Sequence, residues 1–142
     1  MPPAHDSSQS TIVVCEDDEG LRLVVKTILS AHGYRVLPAA GAEQALELAA
    51  AHPGAIDVLV TDFQLPQMTG GKLIRELKDR LPRLEVLVLT GHPVDSLPGP
   101  PLPAGCAFLQ KPVSDTALLE TVEHLLERTE AADAPRRNPP AA

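Results

Sequence analysis

The stretch Ile12-Val13-Val14-Cys15-Glu16-Asp17-Asp18-Glu19 joins an apolar run directly to four consecutive acids. Aliphatic residues without a polar alternation are the pattern of a strand covered on both faces. Beyond the acids, Leu21, Val24, Val25, Ile28 and Leu29 recur at helical spacing, and Gly33 supplies a stop. Strand, acidic turn and helix follow one another within about one supersecondary unit. The acids divide accordingly. Glu16 and Asp17 stand at the strand exit. Asp18 and Glu19 fall in the first helical turn, where negative charge complements the helix dipole.

The same alternation continues along the chain. Short apolar runs at 34–37, 56–61, 85–90 and 106–109 read as four more strands. Helical periodicity fills most of the intervals: Gly41 opens a segment with Ala45, Leu46, Leu48 and Ala49, ended by Pro53. Leu73, Ile74, Leu77 and Leu81 form another, ended by Pro82. Ser114 is placed to cap a last helix carrying Ala117, Leu118, Val122, Leu125 and Leu126. Strands alternating with helices of this length predict an α/β domain with a doubly covered parallel sheet. One interval breaks the rhythm. Residues 91–105 hold five prolines, and each proline inside a helix costs about 3 kcal/mol. The helix between the fourth and fifth strands is therefore expected to be missing or vestigial, at most one turn begun at Pro93.

Composition bounds the rest. The 142 residues carry 12 Lys+Arg against 19 Asp+Glu, a net charge of −7, with no Trp and 2% aromatics. A basic nucleic-acid surface is excluded by sign, and a base-stacking one by the lack of aromatics. Direct DNA binding is not expected. Cys15 and Cys106 fit neither a disulfide framework nor a zinc site and read as reduced thiols. No apolar run reaches membrane-spanning length, and residues 1–8 lack the features of a signal peptide. A cytoplasmic protein is expected. The polar, Pro-containing stretches 1–10 and 131–142 are read as disordered tails flanking one domain over 11–130.

In a parallel sheet the C-terminal ends of all strands share one edge, where ligands bind. That edge collects Glu16 and Asp17 from the first strand, Asp62 from the third, Thr90 from the fourth and Lys111 just after the fifth. Clustered carboxylates suit a hard, oxygen-seeking cation, and Mg²⁺ best of these. A carboxylate can act as nucleophile toward phosphorus, while the cation, a hydroxyl and an ammonium offset charge on the phosphoryl oxygens. Asp57 begins its strand at the opposite edge and reads as structural.

Set in this order on these strand ends, Glu16-Asp17, Asp62, Thr90 and Lys111-Pro112 resemble the receiver domain of two-component response regulators. Asp57-Val58-Leu59-Val60-Thr61-Asp62-Phe63-Gln64-Leu65-Pro66-Gln67-Met68-Thr69-Gly70 is similar to that family's phosphoacceptor strand and loop. Asp17-Asp18-Glu19 with Arg22 resembles its acidic turn, and Phe108-Leu109-Gln110-Lys111-Pro112 its fifth strand and switch region. The resemblance implies a flavodoxin-like fold with strand order 2-1-3-4-5. It implies that Asp62 accepts a phosphoryl group from a histidine kinase or histidine phosphotransferase. Asp17 and Asp62 would ligate Mg²⁺, with Glu16 acting through water and the Gln64 backbone carbonyl as a further ligand. Thr90 and Phe108 would be the switch pair, Lys111 the partner of the phosphoryl oxygens, and Lys111–Pro112 a cis bond. Gln64 and His92 occupy the positions that tune self-catalysed dephosphorylation.

The chain is accordingly expected to be a stand-alone receiver, not an enzyme beyond its own phosphorylation and dephosphorylation, signalling to a downstream protein as a monomer or weak dimer. Its Met1 and two tails favour a complete protein; the alternatives are a receiver segment of a hybrid histidine kinase and a non-phosphorylated receiver-like binding module. A hydrolase forming an aspartyl phosphate would need an acid two residues after Asp62, where Gln64 stands. A flavin binder would need a phosphate-cradling loop after the first strand, where four acids stand. The Pro-rich 91–105 segment replaces the helix on which receivers commonly dimerise, so phosphorylation is expected to reorder this loop. Phe108, where a tyrosine would bring a hydroxyl, can act by packing alone.

Overall fold

The computed structural model describes residues 10–66, 68–93 and 99–137, the segment from 130 onward by its backbone. Its elements are β1 (Thr11–Cys15), α1 (Glu19–Ala31), β2 (Arg35–Ala39), α2 (Ala42–Ala51), β3 (Val58–Asp62), α3 (Gly70–Arg80), β4 (Glu85–Thr90), β5 (Ala107–Gln110) and α4 (Asp115–Arg137). The strands form one parallel sheet in the order β2-β1-β3-β4-β5. The order reverses between β1 and β3, and this opens a crevice at their C-terminal ends.

Alternate residues of the central strands feed two cores. Val13, Cys15, Leu59, Val86 and Val88 pack with α2 and α3 on one face. Ile12, Val14, Val58, Val60, Leu87 and Leu89 pack with Val25 and Leu29 of α1 and with Leu118, Val122 and Leu125 of α4 on the other. Both sets are almost wholly buried, which is why these strands show no polar alternation. Each such aliphatic side chain contributes about 1.5–3 kcal/mol on burial.

Local chemistry sets the helix ends. Asp18 caps α1, its Oδ1 accepting the Leu21 N–H at 3.0 Å. Gly33 follows with φ 96°, a conformation that suits glycine. Thr69 caps α3 through the Lys72 N–H at 3.1 Å, and Ser114 Oγ accepts the Ala117 N–H at 3.0 Å at the start of α4. At the opposite edge of the sheet, Asp57 Oδ2 accepts the Thr11 N–H at 2.8 Å and so ties β3 to β1.

Among the described residues no helix lies between β4 and β5. The turn expected to begin at Pro93 lies outside them, since 94–98 are not described. Residues 99–105 run as an irregular strap on the α2–α3 side, with Leu102, Cys106 and Phe108 packed against that core. Arg128 of α4 donates to the Gly105 carbonyl at 3.1 Å and to Glu85 Oε1 at 2.9 Å, closing the strap's far end.

Ser10, just before β1, is buried, and its carbonyl accepts the Arg35 N–H at 3.0 Å; residues 1–9 lie outside the description. At the other end α4 continues past 130 to Arg137. The tail composition there includes Ala131, Ala132 and Ala134, strong helix formers that extend a helix already under way. Residues 138–142 lie outside the description. No helix among the described residues is long and apolar enough to cross a membrane.

Candidate functional site

At the C-terminal edge, the exit of β1 turns Glu16 inward and Asp17 outward. Glu16 is 1% exposed and Asp17 is exposed. Glu16 is held on all sides: its N–H donates to the Ala39 carbonyl at 3.0 Å, its carbonyl accepts from the Arg22 guanidinium at 2.9 Å, and Oε2 accepts the Asp18 N–H at 3.1 Å. Asp62 ends β3 and is buried, with the Gln64 N–H 3.4 Å from Oδ1. One oxygen of each of Glu16, Asp17 and Asp62 lies within 4.8 Å of the other two.

Lys111 follows β5 and is fixed by its N–H, which donates to the Thr90 carbonyl at 2.7 Å. Its ammonium lies 3.1 Å from Glu16 Oε1 and 3.3 Å from Asp62 Oδ2. Lys111–Pro112 is cis. Thr90 ends β4 and is buried; its hydroxyl accepts the His92 N–H at 3.0 Å and donates to the His92 carbonyl at 3.1 Å. The expected site residues from β1, β3, β4 and β5 therefore meet at one edge. Gln64 and His92 sit on exposed loops beside it, and Phe108 is half-buried opposite Val88 in the sheet register.

The electrostatics follow from burial. Desolvation raises the Glu16 pKa above the ordinary carboxylate value, while the Asp18 N–H and the Lys111 ammonium pull the other way. Burial also works against the Lys111 charge, but the Glu16 and Asp62 carboxylates outweigh it and hold the ammonium above its usual pKa. Cys15, beneath the acids, is pushed up to about 12, by burial first and by the neighbouring carboxylates after it, against a lowering hydrogen bond to Thr61. It is a buried thiol and not a nucleophile.

The donor set fits a divalent cation. Glu16 Oε1 is buried, and its close neighbour is the Lys111 ammonium at 3.1 Å. A buried carboxylate beside two further carboxylates is an all-oxygen set of the kind Mg²⁺ takes.

Two residues beside the site matter in a way that sequence periodicity does not reveal. Gly70 donates its N–H to the Phe63 carbonyl at 2.7 Å. A Cβ there would stand 2.5 Å from the Asp62 carbonyl oxygen and 2.9 Å from Phe63 Cα, so the start of α3 and the end of β3 pack backbone on backbone. At Gly71 a Cβ would stand 3.1 Å from Leu102 Cδ2. The available signal was the Gly-Gly pair at a helix start, a poor helix composition that calls for a packing reason.

Comparison with known proteins agrees with this geometry. The model of the response regulator receiver domain matches residues 12–123. The chain is 32% identical over 123 residues to the sensor kinase CckA of Brucella abortus, covering 86% of this chain and 13% of that protein. It is 32% identical over 126 residues to the transcriptional regulatory protein FixJ of Rhizobium meliloti, covering 87% of this chain and 60% of the relative. It thus spans only part of the curated relatives it matches. Among solved structures, a response regulator receiver domain protein from Clostridium thermocellum superposes with a TM-score of 0.76 at 27% identity, covering 87% of this chain and 98% of the other. The receiver domain of the hybrid histidine kinase CckA superposes at 0.72 with 32% identity, covering 82% and 99%. Since the family model covers residues 12–123 and the fold superposes on solved receiver domains, the protein belongs to the response regulator receiver domain family.

Proposed function

We propose that Asp62 is the phosphoacceptor of this receiver, taking a phosphoryl group from a phosphohistidine of a histidine kinase or histidine phosphotransferase. The observation that carries the reading is the Lys111 ammonium, 3.3 Å from Asp62 Oδ2 at the edge shared with two further carboxylates. An Asp62 oxygen attacks phosphorus, the P–N bond breaks as the P–O bond forms, and the leaving imidazole is protonated. Lys111 and the Thr90 hydroxyl meet the charge on the equatorial oxygens. Asp17 and Asp62, Glu16 through water, and the Gln64 backbone carbonyl would hold Mg²⁺. When bound, that ion supplies further positive charge to the phosphoryl oxygens. Thr90 and Phe108 serve as the switch pair, and Gln64 and His92 border the route by which water reaches the phosphoryl group.

On this reading the chain turns over nothing but its own phosphoryl group, works in the cytoplasm and signals through protein contacts, as a monomer or weak dimer. The similarity to CckA, a sensor kinase far longer than this chain, supports a second reading in which the receiver serves a hybrid kinase. The phosphoacceptor claim is the same in both. It is tested by incubating wild type and Asp62→Asn with Mg²⁺ and acetyl phosphate and measuring intact mass. One added phosphoryl group on wild type and none on the variant is the expected result. Equal labelling of the two, or none on either, overturns it.

A further inference from the structure

Arg75, in the middle of α3, is left without the pairing its position offers. Asp79 stands four residues on, the spacing at which opposite charges meet along a helix. The guanidinium turns the other way, toward the helix start, as long helical side chains tend to. It lies over Gly71: a Cβ built there would stand 3.5 Å from Nη1 and 3.7 Å from Nη2. In that place Nη1 is buried and has no hydrogen-bond partner. Among the described residues no ion pair uses Arg75. A guanidinium keeps its charge and offers donors only. A buried donor left unmade is a standing cost, and a larger one for a charged group.

The surroundings say what would remove that cost. Arg75 lines a cavity of about 190 Å³ together with Phe63, Gln64, Thr69, Gly71 and Pro100. Thr69 and Gly71 belong to the start of α3, and a helix start carries partial positive charge. No acidic residue lines the cavity. The missing partner is therefore an anion. A carboxylate matches the planar guanidinium with two parallel hydrogen bonds. The remaining walls, Phe63, Pro100 and the glycine backbone, suit an apolar body. At about 190 Å³ the space is smaller than the ~300–1,000 Å³ that drug-sized ligands fill. It holds one ring or a short chain, and not a peptide segment.

We propose that this cavity is a binding site for a small monocarboxylate with an apolar body, its carboxylate held by Arg75 and its body set against Phe63 and Pro100. The site is separate from the Glu16, Asp17 and Asp62 edge and does not depend on the phosphoacceptor reading.

Benzoate is the probe, since it joins one carboxylate to one ring. The full chain, labelled with nitrogen-15, is titrated with benzoate at fixed ionic strength, and the backbone amides and the Arg75 Nε–H signal are followed by NMR. Acetate and benzamide are titrated in parallel; the first keeps the charge without the body, the second the body without the charge. Benzoate should give saturable shifts at Gln64, Gly71 and the Arg75 side chain. Benzamide should bind at least about tenfold more weakly, the size of one lost charged hydrogen bond, and acetate should also bind more weakly than benzoate. Arg75→Met keeps the apolar stem and should lose benzoate binding by about tenfold or more. A thermal melt checks that this variant is folded; if it is not, the acetate and benzamide arms on wild type decide. Shifts that do not saturate, that centre on Lys111 instead of Arg75, or that persist equally in a folded Arg75→Met variant overturn the site. Benzamide binding as tightly as benzoate overturns the role of the charge, and acetate binding as tightly overturns that of the apolar body; either result removes the proposal.

Discussion

Lys111 holds its ammonium 3.3 Å from Asp62 Oδ2, and the same group lies 3.1 Å from Glu16 Oε1. It stands where two buried carboxylates would otherwise face each other. Removing one partner of a buried pair leaves a charge uncompensated and costs about 3–5 kcal/mol. Lys111 is partly open to solvent, which reduces the loss. Lys111→Met is expected to destabilise the metal-free protein by about 2 kcal/mol. Adding Glu16→Gln should return most of that, because the uncompensated charge goes with it. Urea denaturation of the two variants in chelator decides the matter; a double variant no more stable than Lys111→Met would show that packing and not charge was lost.

The third carboxylate makes an opposite prediction. Asp17 is exposed, and it brings a further negative charge to within 4.8 Å of oxygens of Glu16 and Asp62. In chelator, Asp17→Asn should relieve repulsion and melt slightly above wild type. In Mg²⁺ the order should invert, because wild type alone keeps the full donor set and gains the binding free energy of the ion. Thermal melts in the two buffers test this, and a variant that melts lower in chelator counts against mutual repulsion at the site.

Much of this was legible in the sequence because it depends on local pattern. Ile12-Val13-Val14-Cys15 reads as a two-faced strand, and it feeds both cores. Once the strands are parallel, Glu16, Asp62, Thr90 and Lys111 must share an edge. The Pro-rich 91–105 stretch argued against a helix there, because proline removes the donors a helix needs, and none lies between β4 and β5 among the described residues. Contacts between distant segments were not legible. Nothing in the spacing of Gly71 and Leu102 announces that one seats the other, and the Gly105–Arg128 link joins loop to helix across the fold. The reach of α4 to Arg137 was not legible for a different reason. An Ala-rich sequence with prolines is compatible with both tail and helix, and a preceding helix tips the balance.

The glycine pair at the start of α3 yields a contrast within one dipeptide. At Gly70 an added methyl meets the Asp62 carbonyl at 2.5 Å and Phe63 backbone at 2.9 Å, and backbone cannot step aside. At Gly71 it meets the tip of a leucine at 3.1 Å, and the leucine can. Gly70→Ala should therefore cost about 2–3 kcal/mol as an overpacked site. Gly71→Ala should cost less than about 1 kcal/mol, since added helix propensity offsets the adjustment. Denaturation midpoints compare the two; equal losses would mean that α3 can slide away from β3.

Alkaline stability follows from two buried acids. Tyr34 is pushed from 10.0 up to about 12 by burial first, and by Glu123 and Glu127 after it. Cys15 moves from 9.0 to about 12. Between those limits the folded chain keeps protons that the unfolded chain gives up. The folded state then binds more protons, and stability falls as pH rises, by up to about 1.4 kcal/mol per pH unit for each group. Below pH 9 neither group contributes a slope. From 9 the Cys15 contribution begins, and from 10 Tyr34 adds to it. Tyr34→Phe keeps the ring and removes the second contribution. Urea midpoints at pH 8 and pH 11 should therefore show wild type losing about 1 kcal/mol more than Tyr34→Phe over that interval. Parallel losses would mean that the Tyr34 hydroxyl ionises in the folded protein as readily as in the unfolded chain, and that burial in the α1–α4 core does not protect it.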